Sequence, residues 1–174
     1  MTMYAIDVAH SSISFSIKHM MISKIKGAFI SYSAIIETDN LLALDTTTIV
    51  FELDVASVST RDSSRDQHLT SADFFHTDRF PKITFRKTAA EQYDGIFYIT
   101  GDLTIKDVTK PITFKVDYAG LNTNPWGVEV YGFSCTGQIN RKEFNLVYNA
   151  ALESGGFLID ENVEITVDLE LSPT

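Results

Sequence analysis

Residues 60–85 join a dense charged cluster, Arg61, Asp62, Arg65 and Asp66, to an aromatic pair, Phe74 and Phe75. A hydrogen-bonding patch set directly beside apolar surface suits an amphiphile, whose head stays satisfied while its hydrocarbon is buried. The guanidinium groups of Arg61, Arg65 and, further along, Arg141 are planar donor forks that could hold a phosphate or a carbonyl head. The competing structural use pairs Arg61 with Asp62 or Asp66 and spends Arg65 and Arg141 on backbone carbonyls. Metal chemistry would have to draw on Asp7, His10 and His19, brought together by adjacent strands. No His-x-x-x-His or Cys-x-x-Cys spacing supports it, so the default gives His10 to turn backbone and has His19 end a strand. His68 and His76 complete the histidines. Nucleophilic catalysis lacks a Gly-x-Ser-x-Gly elbow, and Cys135 sits in Tyr-Gly-Phe-Ser-Cys-Thr-Gly without a local base. Glycine-rich phosphate loops are missing too, because the glycines at 95, 101, 120, 127, 132 and 137 fall at turns or within strand patterns. No catalytic residue, metal or cofactor is expected.

The elements that must position these groups are strands. Ile13, Phe15 and Ile17 alternate with serines; Ile49, Phe51, Leu53 and Val55 alternate with Val50, Glu52 and Asp54. So do Ile112, Phe114, Val116 and Tyr118, and the series from Val163 to Leu171. Less regular strands fit around 25–38, 82–91, 96–106 and 128–140, for a count of about eight. Asp94-Gly95 marks a two-residue hairpin. A second tight reversal is expected over Asp107 to Lys110, and Asn124-Pro125-Trp126-Gly127 reads as a type I turn. Successive short reversals make a meander, which closes into a barrel in preference to a sandwich. The one long connection, 60–81, carries the one helix expected, near 65–72, with Ser64 as N-cap, Gln67 completing a capping box and Asp66 in the first turn.

The 174 residues suffice for one domain over 1–174 with a full core, and a hydrophobic share of 44% with twelve Phe and seven Tyr argues for a folded chain. A formal net charge of -9 with no basic run excludes nucleic acid as a partner and limits membrane contact to transient encounters. One cysteine permits no internal disulfide. The N-terminus shows no leader pattern and no stretch approaches about 18 apolar residues, so a cytoplasmic protein is the expectation.

Six ordered segments then carry a resemblance. They are His10 to Met20, Gly27-Ala28-Phe29, Arg65 to Leu69 with Asp73-Phe74-Phe75, Phe80-Pro81-Lys82-Ile83-Thr84-Phe85, Gly101 to Ile105 with Val108-Thr109-Lys110-Pro111, and Arg141-Lys142-Glu143-Phe144. Together, over nearly the whole chain, they closely resemble the YceI-like family of polyisoprenoid-binding proteins. The resemblance implies an all-β, lipocalin-like, extended antiparallel up-and-down barrel whose apolar pore holds an isoprenoid tail, of the polyprenyl phosphate or isoprenoid quinone class. It also implies a non-enzymatic carrier, often a homodimer, for which Met20, Met21 and Ile22 offer apolar surface. Two positions depart from the family pattern: Asp107 and Asn145 stand where glycine is common, and both residue types tolerate left-handed φ.

The expected ligand-binding set is Phe15, Ile17, His19, Phe29, Phe51, Phe75, Phe85, Phe114, Val116, Phe133 and Arg141, with His19 and Arg141 at a polar mouth. The aromatics could equally fill a solid core, because a barrel of about eight strands is near the size at which either occurs. Two rivals therefore stand beside the carrier: an enzyme acting on an isoprenoid-like substrate, and a solid-cored barrel working through its surface. At about 0.3 kcal/mol per heavy atom, a ten-carbon tail yields about 3 kcal/mol and a forty-carbon tail about 12, so a useful pore must hold a long chain.

Overall fold

The computed structural model describes residues 1–150, 152, 153, 156 and 158–174. Among the described residues eleven strands form one sheet: β1 (Thr2–Ile6), β2 (Ser12–His19), β3 (Ser23–Phe29), β4 (Tyr32–Thr38), β5 (Thr48–Asp54), β6 (Val58–Ser59), β7 (Lys82–Tyr93), β8 (Ile96–Ile105), β9 (Val108–Thr123), β10 (Glu129–Asn140) and β11 (Ile159–Pro173). The helix α1 (Ser63–Thr70) lies between β6 and β7. Every ladder is antiparallel, and β1 pairs on one side with β4 and on the other with β11, through Tyr4↔Ile36 and Ile6↔Leu171. That double pairing closes an eight-stranded circuit, β1-β4-β5-β7-β8-β9-β10-β11, and decides for the barrel over the sandwich.

The two ends of the barrel are built differently. Beyond a short 3-10 turn at Val8–His10, β2 replaces β1 beside β11, with β3 and then β6 following. Among the described residues no ladder joins β6 to β7, so the wall there depends on the 60–81 connection. This explains the charged-to-aromatic junction: the charged part folds as α1, and Phe74, 6% exposed, packs into the apolar cluster with Phe29 and Phe144. Phe75 packs edge-on against Phe29 at 5.9 Å between centroids, and Phe74 meets Tyr148 at 5.1 Å.

Several local expectations are corrected. The N-cap of α1 is Asp62, whose carboxylate accepts from the Ser64 and Arg65 amides at 3.0 and 3.1 Å. A full charge at the positive end of the helix outbids the Ser64 hydroxyl. The helix stops at Thr70 because Thr70 and Ser71 hydroxyls donate to the Gln67 and His68 carbonyls. The β8–β9 reversal falls at Lys106 and Asp107, with Lys106 carrying the positive φ of 56°, whereas Val108 to Lys110 already belong to β9. The predicted 25–38 strand is broken at Ile30 and Ser31, and β1, too short to show alternation, escaped notice. Asp94 and Gly95 do take positive φ, at 52° and 77°, as a type I′ hairpin requires. Asn145 is left-handed at φ 60°, and the Gly127 amide closes its turn on the Asn124 carbonyl at 3.0 Å.

Candidate functional site

Alternation places Ile13, Phe15 and Ile17 of β2, Phe51 and Leu53 of β5, Ile83 and Phe85 of β7, and Val163 to Leu171 of β11 on the inner wall. They do not meet at the centre. A cavity of about 380 Å³ runs inside the barrel, within the range of small-molecule sites. It passes through both apolar clusters, one around Phe29, Ile139 and Phe144, the other around Ile36, Phe133 and Leu171. Phe51, Phe85 and Val167 pack against both clusters and form the waist. On β11 the lining extends from Ile159 to Leu171; at about 3.3 Å per residue and a strand tilt near 40°, this spans roughly 30 Å along the barrel axis.

Three glycines keep the rings against the wall. A Cβ on Gly27 would collide with the Phe15 ring opposite it, one on Gly101 with the Phe85 ring, and one on Gly137 with Phe114 atoms at 2.7 and 2.8 Å. The room such strand glycines leave therefore goes first to aromatic side chains; Phe85 and Phe114 are perpendicular to one another at 5.4 Å.

The far end is closed by 39–47. Leu41 and Leu44 are buried in the lining, and Thr38, fully buried, turns the chain by exchanging hydrogen bonds with Asn40 at 3.0 and 3.1 Å. Lys87 clamps this floor, donating to the carbonyls of Leu44 and Asp45, and desolvation lowers its pKa. The floor was not anticipated, since its apolar residues follow no strand period; three leucines, Leu41, Leu42 and Leu44, amid Thr, Asp and Asn were the available signal.

Most polar lining groups gather at the other end, His19, Thr60, Arg65, His68, Arg141 and Tyr148, while Ser14 lies in β2 and Thr47 in the floor. Arg65 donates from Nε to Thr60 Oγ1 and from one Nη to Thr60 O, both at 2.8 Å. Thr60 is held in turn by Asp66, which accepts from its amide at 2.9 Å and its hydroxyl at 2.6 Å. Among the described residues, two of the five N–H groups of Arg65 are thus used and three are left. Asp62 and Asp66 are engaged with backbone and Thr60, so neither makes the expected ion pair with Arg61. His68 shares a 2.8 Å hydrogen bond with Asp73 and stacks edge-on against Phe74 and Tyr148.

Arg141, only 3% exposed, donates to four backbone carbonyls: Asp160 at 2.7 Å, Leu146 at 2.5 Å, Tyr148 at 2.9 Å and Ile159 at 3.3 Å. It ties the chain after β10 to the start of β11 and keeps one N–H in reserve. Desolvation lowers its pKa, opposed by Glu161 and Asp160.

All eleven residues expected to contact a ligand line this one cavity. The candidate metal trio does not assemble: His19 stands at the mouth, while Asp7 and His10 lie with Glu170 on the outer surface. There His10 Nδ1 meets Asp7 Oδ2 at 2.8 Å, so His10 serves a side chain and not the turn backbone. Burial, followed by the nearby Asp168 and Asp117, pushes the Cys135 thiol up to about 12, which removes it as a nucleophile at neutral pH. Among the described residues no helix is long and apolar enough to cross a membrane.

Comparison with known proteins agrees with this geometry. The model of the family described as YceI-like domain matches residues 4–171. A UPF0312 protein of Staphylococcus aureus is 39% identical over 175 residues, covering 99% of this chain and 98% of its own. A YceI protein of Campylobacter jejuni has a solved structure similar at TM-score 0.75 and 29% identity, covering 90% of each chain. A structure described as a polyisoprenoid binding domain from Saccharophagus degradans, at TM-score 0.72, covers 100% of both chains at 15% identity and shares the fold.

Proposed function

Because the chain belongs to the YceI-like domain family, we propose that it holds a long-chain isoprenoid amphiphile noncovalently, with the tail along the barrel and the head at the mouth. One observation carries this reading: an apolar lumen extends roughly 30 Å along the barrel, and its charged and imidazole groups, His19, Arg65, His68 and Arg141, are collected at one end. A solid-cored barrel would show no such lumen. The description of the Saccharophagus degradans domain as polyisoprenoid binding supports the same ligand class.

Length narrows the ligand. An extended chain advances about 3.5 Å per three backbone bonds, so roughly 30 Å takes about 26 bonds, or some six isoprene units of thirty carbons. At about 0.3 kcal/mol per heavy atom such a tail contributes about 9 kcal/mol, enough for submicromolar binding. A polyprenyl phosphate or an isoprenoid quinone would then meet Arg65, with its three uncommitted donors, and the single spare donor of Arg141. Binding and release complete the cycle, so the function is sequestration or transfer.

Native mass spectrometry of the freshly purified protein tests the proposal. A co-purifying adduct of constant mass that extracts as a prenyl lipid is the expected result. Conversion of that lipid on incubation would establish an enzyme instead, and an empty protein that refuses added prenyl lipids would return the barrel to a surface role.

A further inference from the structure

The β2–β3 hairpin borders the mouth and ends in three apolar residues, Met20, Met21 and Ile22, exposed by 43%, 65% and 85%. Hairpin turns that need positive φ normally take glycine or asparagine. Here Met20 and Met21 occupy that region at φ 53° and 63°, where bulky residues are rare and strained. Apolar side chains are therefore kept at the tip against the local preference of the backbone. A second cost lies just below: Lys18 stands directly opposite Lys24, and Lys26 opposite Ser16, on the outer face of the same hairpin. Like charges facing across a ladder are unfavourable. Lys24 has only an exposed partner, Glu164, at 3.5 Å. A chain of net charge -9 thus places three lysines behind an exposed apolar tip, while the inward residues of that hairpin, Ile17, His19 and Ile25, line the mouth.

We propose that this hairpin docks on an anionic bilayer, with Met20, Met21 and Ile22 entering the interface and Lys18, Lys24 and Lys26 meeting the headgroups. The mouth then opens towards the membrane in which an amphiphile would reside. Apolar residues backed by cations are the combination that interfacial binding uses, and screening over about 8 Å keeps distant acidic groups from cancelling the local field. The inference rests on the carrier reading for its purpose and on the hairpin alone for its geometry.

The test compares flotation of the protein with phosphatidylcholine vesicles with and without phosphatidylglycerol. Two variants accompany it, Met20→Asn/Met21→Asn/Ile22→Ser and Lys18→Gln/Lys24→Gln/Lys26→Gln. The first relieves the left-handed strain, so it should fold at least as well as the wild type. Flotation with the anionic vesicles, falling about tenfold or more in each variant, is expected, and farnesol binding in vesicle-free buffer should be unchanged. Absence of wild-type flotation, or flotation insensitive to both variants, overturns the docking. So does a wild-type dimer that the tip variant dissociates, since the tip would then cover a second copy. Wild-type protein that floats but refuses farnesol and longer prenols keeps the docking and sinks the carrier reading.

Discussion

Arg141 and Arg65 looked equivalent in the sequence, each a guanidinium open to either a ligand or a carbonyl. The fold separates them by what surrounds each group, which no spacing encodes. Arg141 closes the barrel wall through four carbonyls, so Arg141→Met should cost about 3 kcal/mol or more in urea unfolding by leaving buried acceptors unpaired. A loss below about 1 kcal/mol would mean that those bonds are dispensable. Arg65→Gln should instead weaken a phosphorylated prenyl ligand by about 1.5 to 3 kcal/mol and a neutral quinone much less; equal losses in titrations of the two would move head recognition elsewhere. Tyr32 supplies an independent check. Its hydroxyl is buried with no hydrogen-bond partner among the described residues, and desolvation raises its pKa. Tyr32→Phe should leave the unfolding free energy unchanged or higher, by up to about 2 kcal/mol, and a clear destabilisation would reveal a partner for that oxygen.

At the scale of the elements, alternation made β2, β5, β9 and β11 legible because each has one dry face. The same logic read the turn at Asp94 and Gly95. The 39–47 floor and the 141–150 stretch were not legible, since they are held by tertiary hydrogen bonds from Lys87 and Arg141. Strand glycines were visible, but their purpose needed coordinates. Gly101 faces the Arg86 carbonyl as well as the Phe85 ring, and that backbone cannot yield, whereas Gly137 faces only the Phe114 ring. Gly101→Ala should therefore destabilise by about 1 to 3 kcal/mol, as overpacking does. Gly137→Ala should turn Phe114 into the lumen and weaken long-tail binding at a smaller cost in stability. Thermal melts and prenol titrations on both variants check this, and matching profiles would contradict the assignment of Phe114 to the wall.

The whole molecule is a barrel closed at the floor and open, with polar groups, at the rim. That the chain makes a barrel was legible from short turns and one-sided strands, although β1, the strand that closes it, was not, and the resemblance extended the barrel to a pore. Whether Phe15, Phe51, Phe85 and Phe114 filled the centre or stood back from it was not legible, because core and lining follow the same period of two. Reach along the axis is the property that distinguishes a tail-holding lumen from a general apolar pocket. The most direct test is the dissociation constant measured across a series of prenols of increasing length. Affinity should strengthen with each isoprene unit and level off near six units, when the tail meets the floor at Leu41 and Leu44. Affinity that is absent, or that does not change with tail length, would contradict a lumen that works by holding the chain.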